Sequence, residues 1–271
     1  MAGFLNYIQI ENALKYRWAA RSISWNRVAT FVLVPGAWLG GWAWKKVSPL
    51  LEKEGHKVHS ITLTGMGERV HLASKDVGIA TAVQDVLNVV KYNDLQDFVL
   101  VGHSFAGKVV AVVADRAPER VRMVLYLDAF RPEKVRTPQG SFPDEWPSDG
   151  WKVPFTDDII DSIGKDVQGA DREWMLTKAT PIPIRMFRDP ITLTGEHRAP
   201  RKSYIFCTGG GDNVEAILKE NLDGPAKVIE SGHWPMITKP AELVEDILFL
   251  TDRTTPGPIH RRPPPTLLPS S

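Results

Sequence analysis

The sequence predicts an α/β protein with a mostly parallel sheet and helices on both faces. Short apolar runs rich in β-branched residues alternate with longer stretches of helical character, and this alternation is typical of parallel sheets. We predict strands at 30–34, 58–63, 98–101, 121–127, 204–208 and 226–229. We predict helices near 42–53, 79–92, 107–116, 213–220 and 241–250. In such sheets the chemistry gathers at the carboxyl ends of the strands.

Length and composition fit one large globular domain. The 271 residues are 43% hydrophobic and 24% charged, which is ordinary for such a domain. The 33 basic and 32 acidic residues nearly balance, so no charge excess indicates binding to nucleic acid or to a membrane surface. We therefore expect a small-molecule partner, and the sequence leaves the oligomeric state open.

Both ends of the chain differ in composition from the predicted domain at 30–252. Residues 1–29 are basic and have no apolar run long enough for a secretory signal or a membrane span. We expect them to lie outside the fold, with a targeting peptide as an alternative. Residues 253–271 are rich in proline and predict a disordered tail. The one cysteine, Cys207, excludes an internal disulfide and fits a cytoplasmic location.

A sharp turn around one serine joins the predicted strand 98–101 to the next helix. It reads Gly102-His103-Ser104-Phe105-Ala106, the nucleophile-elbow pattern G-x-S-x-G with alanine in the last position. Small residues at its ends let strand and helix approach, and free N–H groups at the helix start favour developing negative charge. The motif predicts a nucleophilic Ser104. The alternative is an ordinary strand-to-helix connection that happens to contain serine.

A serine nucleophile needs a general base and donors for the oxyanion, and both have candidates at strand ends. His233 follows the last predicted strand and precedes the final helix, which agrees with the Ser-then-His chain order of enzymes with this elbow. The glycine-rich loop 35–42 follows the first strand. It offers the backbone N–H of Ala37 as one oxyanion donor, and the N–H of Phe105 is the second. The glycines of that loop also fit a plain tight turn.

The acid that orients the base has two candidates. Asp212 follows the predicted strand 204–208, the usual position in this arrangement, but it also precedes a helical stretch and could be its N-cap. Asp128 ends the strand 121–127, next to the serine strand. A carboxylate at the end of an apolar strand is costly unless it has a partner. We therefore favour Asp128 and keep Asp212 as the alternative.

The alternation of strands and helices is interrupted at about 131–200, which is rich in proline, aspartate and tryptophan. We interpret this segment as a cap that covers the serine. Apolar side chains there are candidates for a pocket wall, although each could instead pack the cap's own small core. The predicted pocket residues are Trp38, Trp146, Trp151, Trp174 and Trp234, with Phe142, Met175 and Phe187 as further candidates.

Several motifs resemble one family. From residue 32 to about 250 the chain resembles the α/β-hydrolase superfamily, and within it the esterase branch related to plant methyl-ester esterases and hydroxynitrile lyases. The similar pieces are PGAWLGGWAW, LTGMGERVHL, DFVLVGHSFAG, VLYLDAF and SGHWPM. The resemblance implies an α/β-hydrolase fold with a cap, a serine nucleophile and no cofactor or metal.

Three departures from the family pattern refine this expectation. Pro35-Gly36 stands where the family usually has His-Gly, which keeps the Ala37 N–H but changes its support. Hydroxynitrile lyases carry lysine after the catalytic histidine, whereas this chain has Trp234, which favours ester hydrolysis. Asp128 matches the acid position of some haloalkane dehalogenases, but those enzymes need an aspartate nucleophile where Ser104 stands.

Together these observations predict a cofactor-independent serine carboxylesterase that acts on small to medium esters through an acyl-enzyme. Lactones fit the same site. The alternative from another class is a ligand receptor on a hydrolase scaffold, since one fold hosts many functions.

Overall fold

The computed structural model describes residues 28–132, 136–137, 150–195, 200–210, 214–219 and 222–252. The strands before the predicted cap are β1 (Thr30–Val34), β2 (Lys57–Ser60), β3 (Phe98–His103) and β4 (Val121–Leu127). Within the next segment lie β5 (Arg136–Thr137), β6 (Lys152–Val153), β7 (Ile182–Pro183) and β8 (Ile191–Thr192). The last two strands are β9 (Arg201–Gly209) and β10 (Ala226–Gly232).

The α-helices follow the predicted alternation. They are α1 (Ser48–Lys53), α2 (Ile79–Tyr92), α3 (Ala106–Arg116), α4 (Asp157–Ile163), α5 (Gly169–Lys178), α6 (Arg185–Arg188), α7 (Val214–Lys219), α8 (Pro235–Thr238) and α9 (Pro240–Thr251). Short 3₁₀ helices cover Gly41–Trp44 and Gly67–Leu72. The predicted helix 42–53 is therefore divided in two. Pro49 lies at the start of α1, where its missing N–H costs no helical hydrogen bond.

Six strands form one parallel sheet in the order β10-β9-β4-β3-β1-β2. The predicted fold class, an α/β fold with a mostly parallel sheet and helices on both faces, is confirmed. The predicted strand 58–63 ends earlier, at Ser60. Its only sheet neighbour in the described residues, β1, has by then paired Leu33 with Ser60.

Both faces of the sheet are buried because the strand side chains alternate between two apolar clusters. Val32 and Leu100 belong to the cluster that includes α2 and α3 residues such as Val83 and Val109. Leu33 and Val101 point to the opposite cluster, which includes residues of α1 and α9. Near-continuous apolar strands follow from this double burial, and it was this pattern that made the strands predictable from sequence.

The segment between β4 and β9 contains two small antiparallel strand pairs, β5 with β8 and β6 with β7, together with α4, α5 and α6. We call residues 150–195 the inserted segment. The predicted N-terminal extension 1–29 lies outside the described residues as far as residue 27, and Ala29 at its end is buried. The predicted tail 253–271 lies outside the described residues, and the predicted domain boundaries stay predictions. Among the described residues, no helix is both long and apolar enough to span a bilayer.

Candidate active site

Ser104 lies on a strained turn between β3 and α3. Its φ is 56°, in the left-handed region that few residues other than glycine adopt. The backbone around it is held by neighbours: the Ser104 N–H donates to the Leu127 carbonyl at 3.1 Å, and the Ser104 carbonyl accepts from Gly107 at 3.0 Å and Phe130 at 3.1 Å. The turn is therefore tied to the end of β4, and the side chain of Ser104 stays partly exposed.

Glycines give this turn its close contacts. A Cβ on Gly102 would lie 2.6 Å from a methyl group of Val110 in α3. A Cβ on Gly36 would clash with the His103 ring and lie 3.1 Å from the Ser104 Cβ. Gly36 therefore brings the loop after β1 directly against the serine, as the predicted oxyanion arrangement requires.

Asp128 and His233 form a buried pair beside this turn. Nδ1 of His233 donates to Oδ2 of Asp128 at 2.5 Å, and the residues are 9% and 5% exposed. The other carboxylate oxygen, Oδ1, accepts the Cys207 N–H at 3.0 Å, and the Asp128 N–H donates to the Ile205 carbonyl at 2.7 Å. Two N–H donors from β9 and from the histidine loop thus offset the cost of burying this carboxylate.

A glycine at the end of β9 makes room for the Asp128 carboxylate. A Cβ on Gly210 would clash with Oδ2. Asp212, the alternative acid, lies outside the described residues. The structure brings Asp128 to His233, and the assignment of the catalytic acid stays a prediction.

His103 holds the backbone of His233 from the elbow side. Its Nε2 lies 2.7 Å from the His233 carbonyl, and because a carbonyl only accepts, Nε2 carries the proton. The two rings lie 4.6 Å apart between centroids. Burial, and to a smaller extent the nearby His233, hold the pKa of His103 well below its ordinary value. His103 is therefore neutral and adds no charge beside the pair.

The predicted oxyanion donors are buried and free to donate. Val34 pairs with Gly102 across β1 and β3, so the loop that carries Ala37 follows directly beside the elbow. Within the described part of the chain, neither the Ala37 N–H nor the Phe105 N–H has a hydrogen-bond partner. Ala37 is 3% exposed and Phe105 4%. Both amides are therefore available to donate to a ligand oxygen beside Ser104.

Aromatic rings from four parts of the chain meet near the turn. Trp38 packs against Phe155 and Phe187 at 5.6 and 5.8 Å between ring centroids. Phe187 also contacts Phe105 at 5.9 Å, and Phe155 contacts Trp234 at 6.0 Å. We call these five residues the aromatic wall. It joins the loop after β1, the elbow, the inserted segment and the histidine loop into one packed apolar cluster.

Trp38 also ties the wall to the inserted segment by hydrogen bonds. Its Nε1 donates to the Val153 carbonyl at 3.1 Å, and its carbonyl accepts the Thr180 N–H at 3.0 Å. Its φ is 65°, a conformation that these contacts on both sides support.

The other predicted pocket residues lie elsewhere or outside the described part. Trp174 lies on α5 and packs edge-on against Trp42, with 5.0 Å between the ring centroids. The Trp151 ring makes a cation–π contact with Nζ of Lys152, which lies 4.8 Å from the ring centroid. Met175 is fully buried in the cluster of α1 and α9. Trp146 and Phe142 lie outside the described residues.

Three residues of this region were not anticipated from the sequence. Phe155 lies in the aromatic wall. Lys108 is buried one turn into α3, and its Nζ donates to the Phe187 carbonyl at 2.7 Å. Burial lowers the pKa of Lys108, and nearby Asp189 partly opposes this. Asp166 contacts the histidine loop. Only Lys108 left a signal, as a lone charge between apolar helix residues.

The site has no metal-binding cluster within the described ranges: no group of three or more histidine, cysteine or acidic side chains there could hold an ion. The single thiol, Cys207, is buried, and burial beside Asp128 raises its pKa. A thiol in this state is a poor nucleophile.

This fold and this site define an α/β hydrolase, and the comparisons with known proteins agree. The sequence model of the Alpha/beta hydrolase family matches residues 31–246. The chain belongs to that family.

Relatives and solved structures support the same class. The chain is 32% identical over 241 residues to a carbendazim hydrolyzing esterase of Nocardioides sp. (strain SG-4G), which covers 82% of this chain and 100% of the relative. It is 32% identical over 258 residues to Methylesterase 2 of Arabidopsis thaliana, covering 82% and 95%. An extracellular α/β-hydrolase from a Paenibacillus species has the same fold, with a TM-score of 0.67 at 22% identity, covering 82% and 98%. The resemblance to the esterase branch and the enzyme class, a carboxylic ester hydrolase, are confirmed.

Proposed function

We propose that the protein is a serine carboxylesterase that hydrolyses small to medium carboxylic esters through an acyl-enzyme on Ser104. The observation that carries this proposal is the buried hydrogen bond of 2.5 Å between His233 and Asp128. It is formed at the end of the strand whose last carbonyl also binds the Ser104 N–H. A base fixed by a carboxylate, next to a serine on a strained turn, is the arrangement that activates a hydroxyl.

The first half of the reaction forms the acyl-enzyme. Nε2 of His233 takes the Ser104 hydroxyl proton while Oγ attacks the ester carbonyl carbon, and the carbonyl oxygen becomes an oxyanion. The N–H groups of Ala37 and Phe105 donate to that oxyanion. They have no competing partner within the described residues, which supports their role. The tetrahedral intermediate then expels the alcohol, whose oxygen receives the proton from His233.

The second half releases the acid. His233 takes a proton from a water molecule, the resulting hydroxide attacks the acyl carbon, and Oγ leaves and regains a proton from His233. Asp128 keeps the proton of the neutral imidazole on Nδ1, so that Nε2 is free to accept, and it stabilises the imidazolium that forms in each half. Neutral His103 favours this because a second positive charge 4.6 Å away would oppose the imidazolium.

The aromatic wall supports an apolar substrate. Its side chains are aromatic and pack beside the Ser104 turn, so we propose esters with an apolar acyl or alcohol part. The names of two relatives, a carbendazim hydrolyzing esterase and a methylesterase, suggest methyl esters and carbendazim as further substrates to test on this chain.

The test is steady-state hydrolysis of p-nitrophenyl acetate and butyrate, followed by methyl esters and carbendazim, with purified wild type and Ser104→Ala. We expect turnover by the wild type and a loss of about 10⁴-fold or more in kcat in the variant. A wild type without a burst or steady turnover would favour the ligand-receptor alternative. A Ser104→Ala variant as active as the wild type would rule out the proposed nucleophile.

A further inference from the structure

The loop that carries His233 is contacted by a short piece of the inserted segment, residues 163–166, which we call the histidine brace. This piece ends α4. The carbonyl of Ile163 accepts the His233 N–H at 2.8 Å. The carbonyl of the same histidine accepts from His103 at 2.7 Å. Both peptide groups of His233 are therefore fixed, one by the elbow and one by the brace.

Asp166 binds the loop on both sides of the histidine through one oxygen. Its Oδ2 accepts the Gly232 N–H at 2.9 Å and the Thr238 hydroxyl at 2.8 Å, and it lies 3.0 Å from the Ser231 hydroxyl. Ser231 and Gly232 end β10, and Thr238 ends α8. One carboxylate thus ties together the strand end before His233 and the helix after it.

The packing between brace and loop leaves no space for side chains at two glycines. A Cβ on Gly232 would clash with Oδ1 of Asp166 and lie 3.0 Å from the Gly164 Cα. A Cβ on Gly164 would clash with the indole of Trp234, which is 1% exposed. The two backbones touch directly, so a displacement of the brace displaces the loop.

We propose that the histidine brace positions the catalytic base, with Asp166 and Gly164 as positioning residues. This rests on the proposed function, in which His233 must reach both Asp128 and Ser104. The brace fixes the histidine peptide, so the imidazole keeps its hydrogen bond to Asp128 and its orientation toward the serine. Since a displacement of about 1 Å can cost about 10²-fold in rate, a brace of this kind acts on kcat. The inserted segment then has a second role besides forming part of the pocket wall.

The exposure of Asp166 separates this role from a merely structural one. Asp166 is exposed, and contacts of exposed charged side chains contribute little to global stability. It also takes no part in the aromatic wall, so its removal leaves substrate contacts intact. A positioning role therefore predicts a fall in kcat with little change in KM or Tm, whereas a structural role predicts a fall in Tm.

The first experiment compares Asp166→Ala, Asp166→Asn and the control Asp158→Ala, an exposed acidic residue of α4, with p-nitrophenyl butyrate. We expect kcat to fall by about tenfold or more in Asp166→Ala, with KM and Tm nearly unchanged. Asp166→Asn keeps an oxygen that can accept the Gly232 N–H, so we expect it to recover most of the loss. If Asp166→Ala and Asp158→Ala have the same kcat, the proposal is wrong.

A second measurement does not depend on turnover. Hydrogen exchange of the peptide 231–238 reports opening of the histidine loop, and we expect faster exchange in Asp166→Ala and in Gly164→Ala than in Asp158→Ala. Gly164 has a φ of −135°, so alanine is tolerated by the backbone there and only the clash with Trp234 acts. A wild type without esterase activity would refute the proposed function alone. Unchanged exchange in both variants would refute the brace, whatever the activity.

Discussion

Asp128 and His233 are joined by a hydrogen bond of 2.5 Å between Oδ2 and Nδ1, although they stand at the ends of two strands that are not neighbours in the sheet. β9 lies between β4 and β10. The carboxylate crosses it because Gly210 follows β9 without a side chain, and because the Cys207 N–H binds its second oxygen. The acid therefore depends on Gly210 as much as on its own position.

The role of Asp128 predicts the effect of its amide. In Asp128→Asn, the NH₂ group can face Nδ1 and favour the tautomer with its proton on Nε2, which cannot act as a base. We expect kcat for p-nitrophenyl butyrate to fall by about 10³–10⁴-fold, with KM little changed. The matched variant is Asp212→Asn, for which we expect kcat within a few-fold of the wild type. The opposite order would assign the acid to Asp212.

Gly210 leaves space for the Asp128 carboxylate, and we expect a side chain that fills this space to reduce activity. The Cβ of Gly210→Ala would push the carboxylate of Asp128 away from Nδ1, and we expect kcat to fall by about 10²-fold. In Gly209→Ala the nearest contact of the new methyl is the Ser231 carbonyl at 3.2 Å, which small shifts relieve. Steady-state kinetics of both variants, with Tm as a check on folding, measure this difference. Equal kcat values would show that the carboxylate does not need the space.

The aromatic wall predicts which ring sets chain-length preference. Phe155 lies between Trp38 and Trp234, so Phe155→Ala removes apolar surface from the proposed pocket. We expect the ratio of kcat/KM for butyrate over acetate to fall by about three- to tenfold. Trp174→Ala changes a ring that packs on Trp42 instead, and should leave the ratio unchanged. The reverse pattern would move the acyl pocket to the α5 side.

Asp246, a largely but not fully buried acid of α9, predicts a pH effect on stability. Burial raises the pKa of Asp246 to about 6, although Lys227 lies 3.5 Å away and partly opposes this. The unfolded value is about 3.9, so the folded state binds the extra proton between these values and loses stability as the pH rises through them. Well above pH 6 the charged carboxylate costs on the order of 3 kcal/mol, which is about 1.4 kcal/mol for each of the roughly two pH units between these values.

The variant that tests this is Asp246→Asn. We expect its Tm to exceed that of the wild type at pH 8 and to match it at about pH 3, below the unfolded value, where the wild-type carboxyl is mostly protonated in both states. The control is Glu52→Gln, an exposed residue of α1 that does not contribute to the pKa of Asp246, with no such pH dependence expected. A lower Tm for Asp246→Asn at pH 8 would mean that the ion pair with Lys227 outweighs the burial.

The parts of this structure that depend on local sequence pattern could be predicted from the sequence. The strands at 30–34 and 121–127 and the helix at 79–92 have the predicted bounds. Strands that are buried on both faces have nearly continuous apolar sequences, and a helix that packs on the sheet is amphipathic, so both can be recognised from the sequence. Asp128 could be selected because a carboxylate at an apolar strand end needs a partner. Local pattern could not predict Phe155 or Asp166, since their roles come from contacts between the inserted segment and distant loops. The role of Gly210 depends likewise on the side chain of Asp128, which ends the neighbouring strand β4 of the sheet but is distant in sequence.

The most direct test of the account is mass spectrometry of the protein quenched during turnover of p-nitrophenyl butyrate. An acyl-enzyme on Ser104 predicts a transient butyryl adduct on the peptide that contains this serine, and no such adduct in Ser104→Ala. An adduct on another residue, such as Cys207, or full turnover by Ser104→Ala, would contradict it.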